Sequence, residues 1–313
     1  MIELVFGSAD LLQVRFAISP AEEILGAVRT VAQPARHAYH LPWLRQLPGT
    51  GLPGLAELTG LVTSRETPDF LSPPPTSPLA DLEEQLDRLR STPDEVIRAE
   101  LAAALGDRVP GTLAQPETAR LTLAGQMTDA WQRLLAPSWP QISALLQGDV
   151  LARGRRLAGH GIRAVFDGLH PHVRWASQTL RIRSSFTERL TLSGEGLLLV
   201  PSVFTWPDVQ LMLDPPWQTT LIYPAPGVAA MWQPQRGDPA LTRAFGKTRG
   251  TLLTELTEPA TTTMLARKHA TAASTISAHL TALRGAGLLT AHRDGRSTYY
   301  QLSALGYALL QGH

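Results

Sequence analysis

Residues 251–302 read TLLTELTEPATTTMLARKHATAASTISAHLTALRGAGLLTAHRDGRSTYYQL, and their pattern decides the fold of the C-terminal part. Leu252, Leu253 and Leu256 predict a helix that stops before Pro259, which lacks the N–H a helix interior needs. Thr261 to His269 predicts a second, short helix with Met264 and Leu265 facing inward. Ile276, Leu280 and Leu283 recur at i, i+4 and i+7, the stripe of a third helix. Gly285 and Gly287 end it, because a left-handed residue costs glycine little. Leu288–Arg293 and Ser297–Leu302 flank Asp294-Gly295 and predict two strands joined by a tight hairpin turn.

Helix, short helix, helix, two-stranded ribbon is the order of a winged helix-turn-helix, a module that reads DNA. The third helix leaves Ser274, Thr275, Ser277, Ala278 and His279 on its polar side. Small hydroxyl side chains and an imidazole there let a helix enter the major groove and reach phosphates and base edges. Arg293 and Arg296 flank the ribbon turn, suited to a phosphate or a minor groove. Lys268 lies just ahead of the third helix beside Arg267, and Thr271 is the candidate cap at its start. The same residues would also serve as an ordinary solvated face; the coincidence of helix order, glycine stop and basic hairpin favours DNA.

The segment resembles the ArsR-type winged-helix transcriptional regulators. The residues that carry the likeness are Leu265-Ala266, Thr275 to Leu280, Leu283 to Leu288 and Gly295 to Tyr300, and the resemblance as a whole covers about a quarter of the chain. The resemblance implies a homodimer on a palindromic double-stranded DNA operator, with an effector that changes affinity. Two departures stand out. Where the family has a serine cap followed by proline at the head of the recognition helix, this chain has Ala272-Ala273. The metal-sensing branch uses a cysteine pair, and this chain has no cysteine, so sensing through thiolates is excluded.

At 313 residues the chain is longer than one such domain of roughly 100 residues. Its 43% apolar and 18% charged residues fit a well-buried globular protein. The net charge of +1 hides an asymmetry: residues 241–313 hold eight Lys/Arg against three acids, and the remainder holds 20 basic against 24 acidic groups. Positive charge therefore sits with the DNA-reading motif, as backbone binding requires. No targeting segment and no run of eighteen apolar residues occurs, so the expectation is a cytoplasmic protein without membrane contact.

The expected fold class is α+β: a mainly helical N-terminal part with a small tryptophan-rich antiparallel β segment, then the winged helix-turn-helix. The expected divisions are an N-terminal α/β segment 1–67, a proline-rich connector 68–78, a helical block plus β segment 79–238, and the DNA-binding domain 239–313. Ser19-Pro20 reads as a cap with proline at the first helical position, and Thr92 as the cap of a helix over Pro93–Leu105. A long last helix is expected from Trp139 to about Leu169, with Leu145, Val150, Leu157 and Ile162 buried and Arg153, Arg155, Arg156 and Arg163 solvated. From His172 to Trp232 short β-prone runs follow one another, with Leu197–Pro201 the most hydrophobic and expected to be central. Trp175, Phe204, Trp206, Trp217 and Tyr223 crowd this region; they are a core, or the lining of an apolar pocket for a small organic effector. Leu197–Trp206, Asp214–Trp217 and Tyr223-Pro-Ala are similar to an N-terminal domain of long actinobacterial ArsR-like regulators, which supports the architecture and names no ligand.

Gly49 to Gly54 match the dinucleotide fingerprint G-x-G-x-x-G in letters, but a helical pattern precedes them and Pro53 interrupts, so they read as a loop. His37/His40 and His170/His172 have metal-ligand spacing without a third ligand and are expected to be structural or solvated. Glu22-Glu23 and Glu83-Glu84 read as helix-surface acids. No catalytic residue, metal site or cofactor is expected. The function expected is a sequence-specific transcriptional regulator, a dimeric repressor in form, whose N-terminal part senses a small molecule or mediates assembly. The alternative is an enzyme or ligand-binding protein with an appended DNA-binding tail.

Overall fold

The computed structural model describes residues 1–37, 40–47, 51–64, 66–232, 243–256, 260–294 and 297–311. The chain falls into two compact units, Met1–Val228 and Ala229–His313, and mixes helices with small sheets. The larger unit begins with β1 (Ile2–Val5), α1 (Ser8–Leu12), β2 (Arg15–Phe16) and α2 (Pro20–Ala32). Its helical stretch comprises α3 (Leu41–Leu44), α4 (Ala56–Val62), α5 (Leu82–Arg90), α6 (Asp94–Leu105), α7 (Pro116–Ala130), α8 (Trp139–His160) and α9 (Ile162–Phe166). Strands β3 (Val173–Ala176), β4 (Thr179–Ile182), β5 (Glu188–Thr191), β6 (Leu198–Ser202), β7 (Gln210–Met212) and β8 (Thr220–Pro224) complete it, and the short α10 (Val228–Met231) follows.

The first sixteen residues are part of the sheets at the far end of this unit, not of a separate segment 1–67. β1 lies between β4 and β5, with Ile2 opposite Ile182 antiparallel and opposite Glu188 parallel. β2 pairs in parallel with β6, which pairs in parallel with β8. The β segment is thus two mixed four-stranded sheets, β3-β4-β1-β5 and β2-β6-β8-β7, rather than one antiparallel sheet. β6 is interior and buried at all five positions, which explains its uninterrupted apolar run: a strand covered on both faces has no polar side to alternate with.

Most of the expected connector 68–78 is interior too, though Thr76 and Pro78 are exposed. Phe70 to Pro75 are all buried. Three successive prolines bring no N–H groups into the interior, and two of their carbonyls find donors, Pro73 O from Gln85 Nε2 at 3.1 Å and Pro74 O from Arg88.

Helix α2 is the axis of the unit and packs against α4, α5 and α7. Ser19 caps it, accepting the Glu22 N–H at 3.1 Å, with Pro20 at the first helical position as its sequence requires. Ten of its thirteen residues are buried, including Glu22 and Glu23, so these are not surface acids. Gly26 lets the side chain of Phe204 approach: a Cβ there would stand 2.5 Å from Phe204 Cβ. Thr92 does not cap α6; its hydroxyl donates to Arg88 O at 3.1 Å, and α6 begins at Asp94 after Pro93. The expected last helix breaks at Gly161, whose φ of 75° ends α8. On α8 the buried stripe is Ile142, Leu146, Asp149 and Arg153, while Leu145 and Val150 are half-buried. Arg153 is therefore a core residue and not a solvated one.

The smaller unit has α11 (Lys247–Glu255), β9 (Ala260–Thr261), α12 (Thr262–Lys268), α13 (Ala273–Gly285), β10 (Leu289–Asp294), β11 (Ser297–Leu302) and α14 (Ala304–Gln311). β11 is central in a three-stranded antiparallel sheet, with Leu289 opposite Leu302 and Tyr299 opposite Thr261. Leu252, Leu253, Leu256, Leu265, Ile276, Leu280, Leu283 and Leu302 form one core. Met264 departs from expectation: it is 54% exposed, and Leu265 and Ala266 are the inward residues of α12.

Gly26→Ala should destabilise the larger unit by about 1–3 kcal/mol through overpacking against Phe204. A urea midpoint indistinguishable from wild type would show that the contact relaxes freely.

Candidate functional site

In the smaller unit, α12 and α13 meet at a turn held by backbone bonds. The Thr271 N–H reaches Ala266 O at 3.0 Å and the Ala270 N–H reaches Arg267 O at 3.3 Å, with Ala270 at φ 48°. This is a Schellman turn with alanine in the place glycine prefers. Thr271 does not cap α13; its hydroxyl donates to His269 O at 3.0 Å, and Ala272 takes the cap position without a side-chain bond. The first N–H groups of α13 therefore receive no side-chain cap, and that end of the helix suits an anion. The other end closes with a second Schellman turn: Leu288 N–H to Leu283 O at 3.0 Å, Gly287 N–H to Arg284 O at 2.9 Å, Gly287 at φ 75°.

Between these turns α13 buries Ile276, Leu280 and Leu283 and leaves Ser274, Thr275 and Ala278 exposed, with Ser277 and His279 half-buried. Thr271 is exposed at the turn, and Arg293 is exposed on β10. Arg296 lies outside the described residues. Lys268 is mostly exposed but engaged: Glu255 takes Lys268 Nζ at 3.2 Å and His269 Nε2 at 2.7 Å. The structure thus gathers the third-helix residues on one face and ties Lys268 back to α11. Lys247, Arg249, Arg267 and Arg284 are also exposed in this unit.

The five aromatic residues expected to line a pocket do not converge in the larger unit. Trp175 stacks on Phe166 at 4.9 Å and meets Phe6 edge-on in the sheet core. Phe204 is buried against Trp43 and His40. Trp206 is 42% exposed beside His170. Tyr223 is buried, donating to Asp149 Oδ2 at 2.6 Å beneath the Arg153 guanidinium. Trp217 borders a cleft whose lining is otherwise proline, hydroxyl, arginine and the Gln218 amide. Aromatic crowding along the chain cannot reveal this dispersal, because it follows from which sheet each strand joins.

Sequence reasoning missed a set of buried carboxyl groups. Glu23 accepts the Val203 N–H at 3.0 Å, and burial pushes its carboxyl up to about 8. Burial also raises Glu22, opposed by Arg29 and by the Ser72 hydroxyl at 2.9 Å. Burial, then the charges of Glu100, Glu22, Asp214 and Glu66, push Asp69 up to about 8. Glu100 itself takes Trp217 Nε1 at 2.7 Å and the Phe70 N–H at 2.8 Å. No signal in the sequence pointed to them: on α2, Glu22, Glu23, Arg29 and Thr30 share one side, the pattern of a solvated face. Burial lowers His40 to about 4, keeping it neutral against Trp43 and Phe204. His170 Nδ1 accepts the His172 N–H at 3.1 Å, and its Nε2 meets Pro207 O at 2.9 Å. Among the described residues no group of three His, Asp or Glu is placed to hold a metal ion. No described helix is long and apolar enough to cross a membrane.

A model of a family of unknown function (DUF5937) matches residues 98–229, less than half of the chain and all but one residue inside the larger unit. The match takes in β3 to β8 but not β1, β2 or α2, on which both sheets and the core depend. No curated protein and no solved structure matches the chain.

Two measurements check these placements. Ala270→Gly should stabilise the smaller unit by about 1 kcal/mol, and Gly287→Ala should destabilise it by a similar amount, because each changes the cost of a left-handed residue. Equal thermal midpoints for the two variants would contradict the turn geometry. The pH dependence has a defined sign. Glu23 and Asp69 hold protons in the fold up to about 8, whereas unfolded they release them near 4.5 and 3.8. The folded state then binds more protons, so stability falls as pH rises toward about 8. His40 acts oppositely only below its ordinary 6.5. The urea midpoint should therefore drop between about pH 6.5 and 8.5, and less so in Glu23→Gln. A flat profile over that range would overturn the assignment.

Proposed function

We propose that the chain is a sequence-specific DNA-binding transcriptional regulator, acting as a dimeric repressor, whose larger unit senses a small molecule. The smaller unit is read as a winged helix-turn-helix of the ArsR type: α12 and α13 form the helix-turn-helix, and β10–β11 form the wing. The observation that carries the reading is the face of α13. Ser274, Thr275 and Ala278 stand exposed along it, opposite the buried Ile276, Leu280 and Leu283. Such a face is narrow and uncharged enough for the major groove, with an uncapped N-terminus for a phosphate. The excess of basic residues in this unit supplies the attraction to the DNA backbone. A dimer would set two such helices about 34 Å apart, on successive major grooves.

A second reading, a ligand-binding protein with an appended DNA-binding tail, draws on the cleft beside Trp217. The two differ in whether a ligand changes the affinity for DNA, since a ligand shifts an equilibrium only by binding its two states unequally.

Selection of bound fragments from a genomic library with the full-length protein, followed by titration on the enriched sequence, tests the proposal. Ser274→Ala/Thr275→Ala should change the preferred sequence, at a cost of about 1–3 kcal/mol for each base edge no longer read. Arg293→Ala/Arg296→Ala should weaken binding to all sequences and reduce the salt slope by about one unit for each phosphate no longer neutralised. Wild-type affinity and preference in both double variants would remove the assigned interface.

A further inference from the structure

The cleft of the larger unit is assembled from stretches far apart in the chain. Arg15 of β2, the Pro74–Thr76 run, Arg88 with Ser91–Pro93 at the end of α5, and Pro216–Gln218 ahead of β8 line it. It encloses about 430 Å3, within the roughly 300–1,000 Å3 of small-molecule sites. Every charged side chain among its described lining residues is a guanidinium. Arg15 donates to Gln218 Oε1 at 2.5 Å, and Arg88 donates to the Pro74 carbonyl. Each of these bonds uses one of a guanidinium's five N–H groups. The acid acting on Arg88 is Glu84, itself bonded to the Thr76 hydroxyl.

Much of the rest of the wall has its donors already engaged. Trp217 gives its Nε1–H to Glu100 at 2.7 Å, which holds the ring and leaves its faces as the contact surface. Ser91 and Thr92 turn their hydroxyls back to the carbonyls of Asp87 and Arg88. Pro74, Pro75, Pro93 and Pro216 add apolar surface. An indole and proline rings beside two guanidiniums, with no carboxylate among the described lining residues, complement a flat molecule that carries a negative charge.

We propose that this cleft binds a small planar aromatic carboxylate, its ring against Trp217 and the prolines and its carboxylate on Arg15 and Arg88. As an effector site this deepens the regulator reading and rests on it; as a binding site it stands without DNA.

The test is calorimetric titration of the full-length protein, free of DNA, with 2-naphthoate, its neutral isostere 2-naphthamide, and inorganic phosphate. Naphthoate should bind at one site, and naphthamide about ten-fold more weakly, the worth of one charge-assisted hydrogen bond. Arg15→Gln and Arg88→Gln should each weaken naphthoate by a similar factor. Arg88 also holds Pro74, so Arg15→Gln, at an exposed residue whose side chain bonds Gln218, is the decisive variant, with its thermal midpoint measured alongside. Equal binding of acid and amide, unchanged affinity in both variants, or phosphate binding without naphthoate binding would each overturn the proposal. Naphthoate that binds as expected but leaves affinity for the selected DNA unchanged would sink the effector role and keep the site. No naphthoate binding with intact DNA recognition would sink the site and its effector role together and leave the DNA-binding reading standing.

Discussion

Burial of the N-terminal turn of α2 is the constraint on which the larger unit depends. Two adjacent carboxyl groups, Glu22 and Glu23, are taken out of water together, and each must be answered by a donor from elsewhere. Ser72 answers Glu22 from the proline-rich run, and the Val203 N–H answers Glu23 from the end of β6. Gln85 of α5 bonds both the Ser19 hydroxyl and the Ala21 N–H at the same turn. The helix end therefore specifies where three other parts of the chain lie. The positive end of the helix favours negative charge there, yet desolvation dominates and Glu23 keeps its proton to about 8.

Two further polar clusters join sheets to helices by the same logic. Asp149 of α8 accepts from Arg153 at 3.0 Å and from Tyr223 of β8 at 2.6 Å, while Arg153 also reaches Val165 O. With every partner satisfied, such a buried pair fixes one arrangement of α8 over the sheet. Asp10 takes the N–H groups of Gly7, Gly194 and Gly196, stitching the start of the chain to the loop before β6. At Gly196, with φ 72° and Gln13 O only 2.4 Å from where a Cβ would stand, no other residue fits.

The two units use polar groups in opposite ways. The larger one buries many of them and pairs its buried carboxyl groups internally, and the only charged side chains among the described residues lining its Trp217 cleft are arginines. The smaller one keeps an apolar core of leucine and isoleucine and sends its small hydroxyl residues outward along α13.

The sequence by itself determined the smaller unit. Its contacts are local, so the i, i+4, i+7 stripe of Ile276, Leu280 and Leu283, the glycine at 287 and the ribbon from Leu289 to Leu302 each declare their own structure. The cap at Ser19 and the interior position of β6 were legible for the same reason. What only the tertiary structure decided is long-range. β1 inserts between strands about 180 residues later, the proline run goes inside, Glu22, Glu23 and Arg153 are buried, and the tryptophans separate into different environments. A charged residue on a helix is read as solvated until the partner that desolvates it is known. Here Ser72, Val203 and Tyr223 come from other elements that no local pattern announces, and the i,i+4 spacing of Asp149 and Arg153 gives their pairing but not their burial.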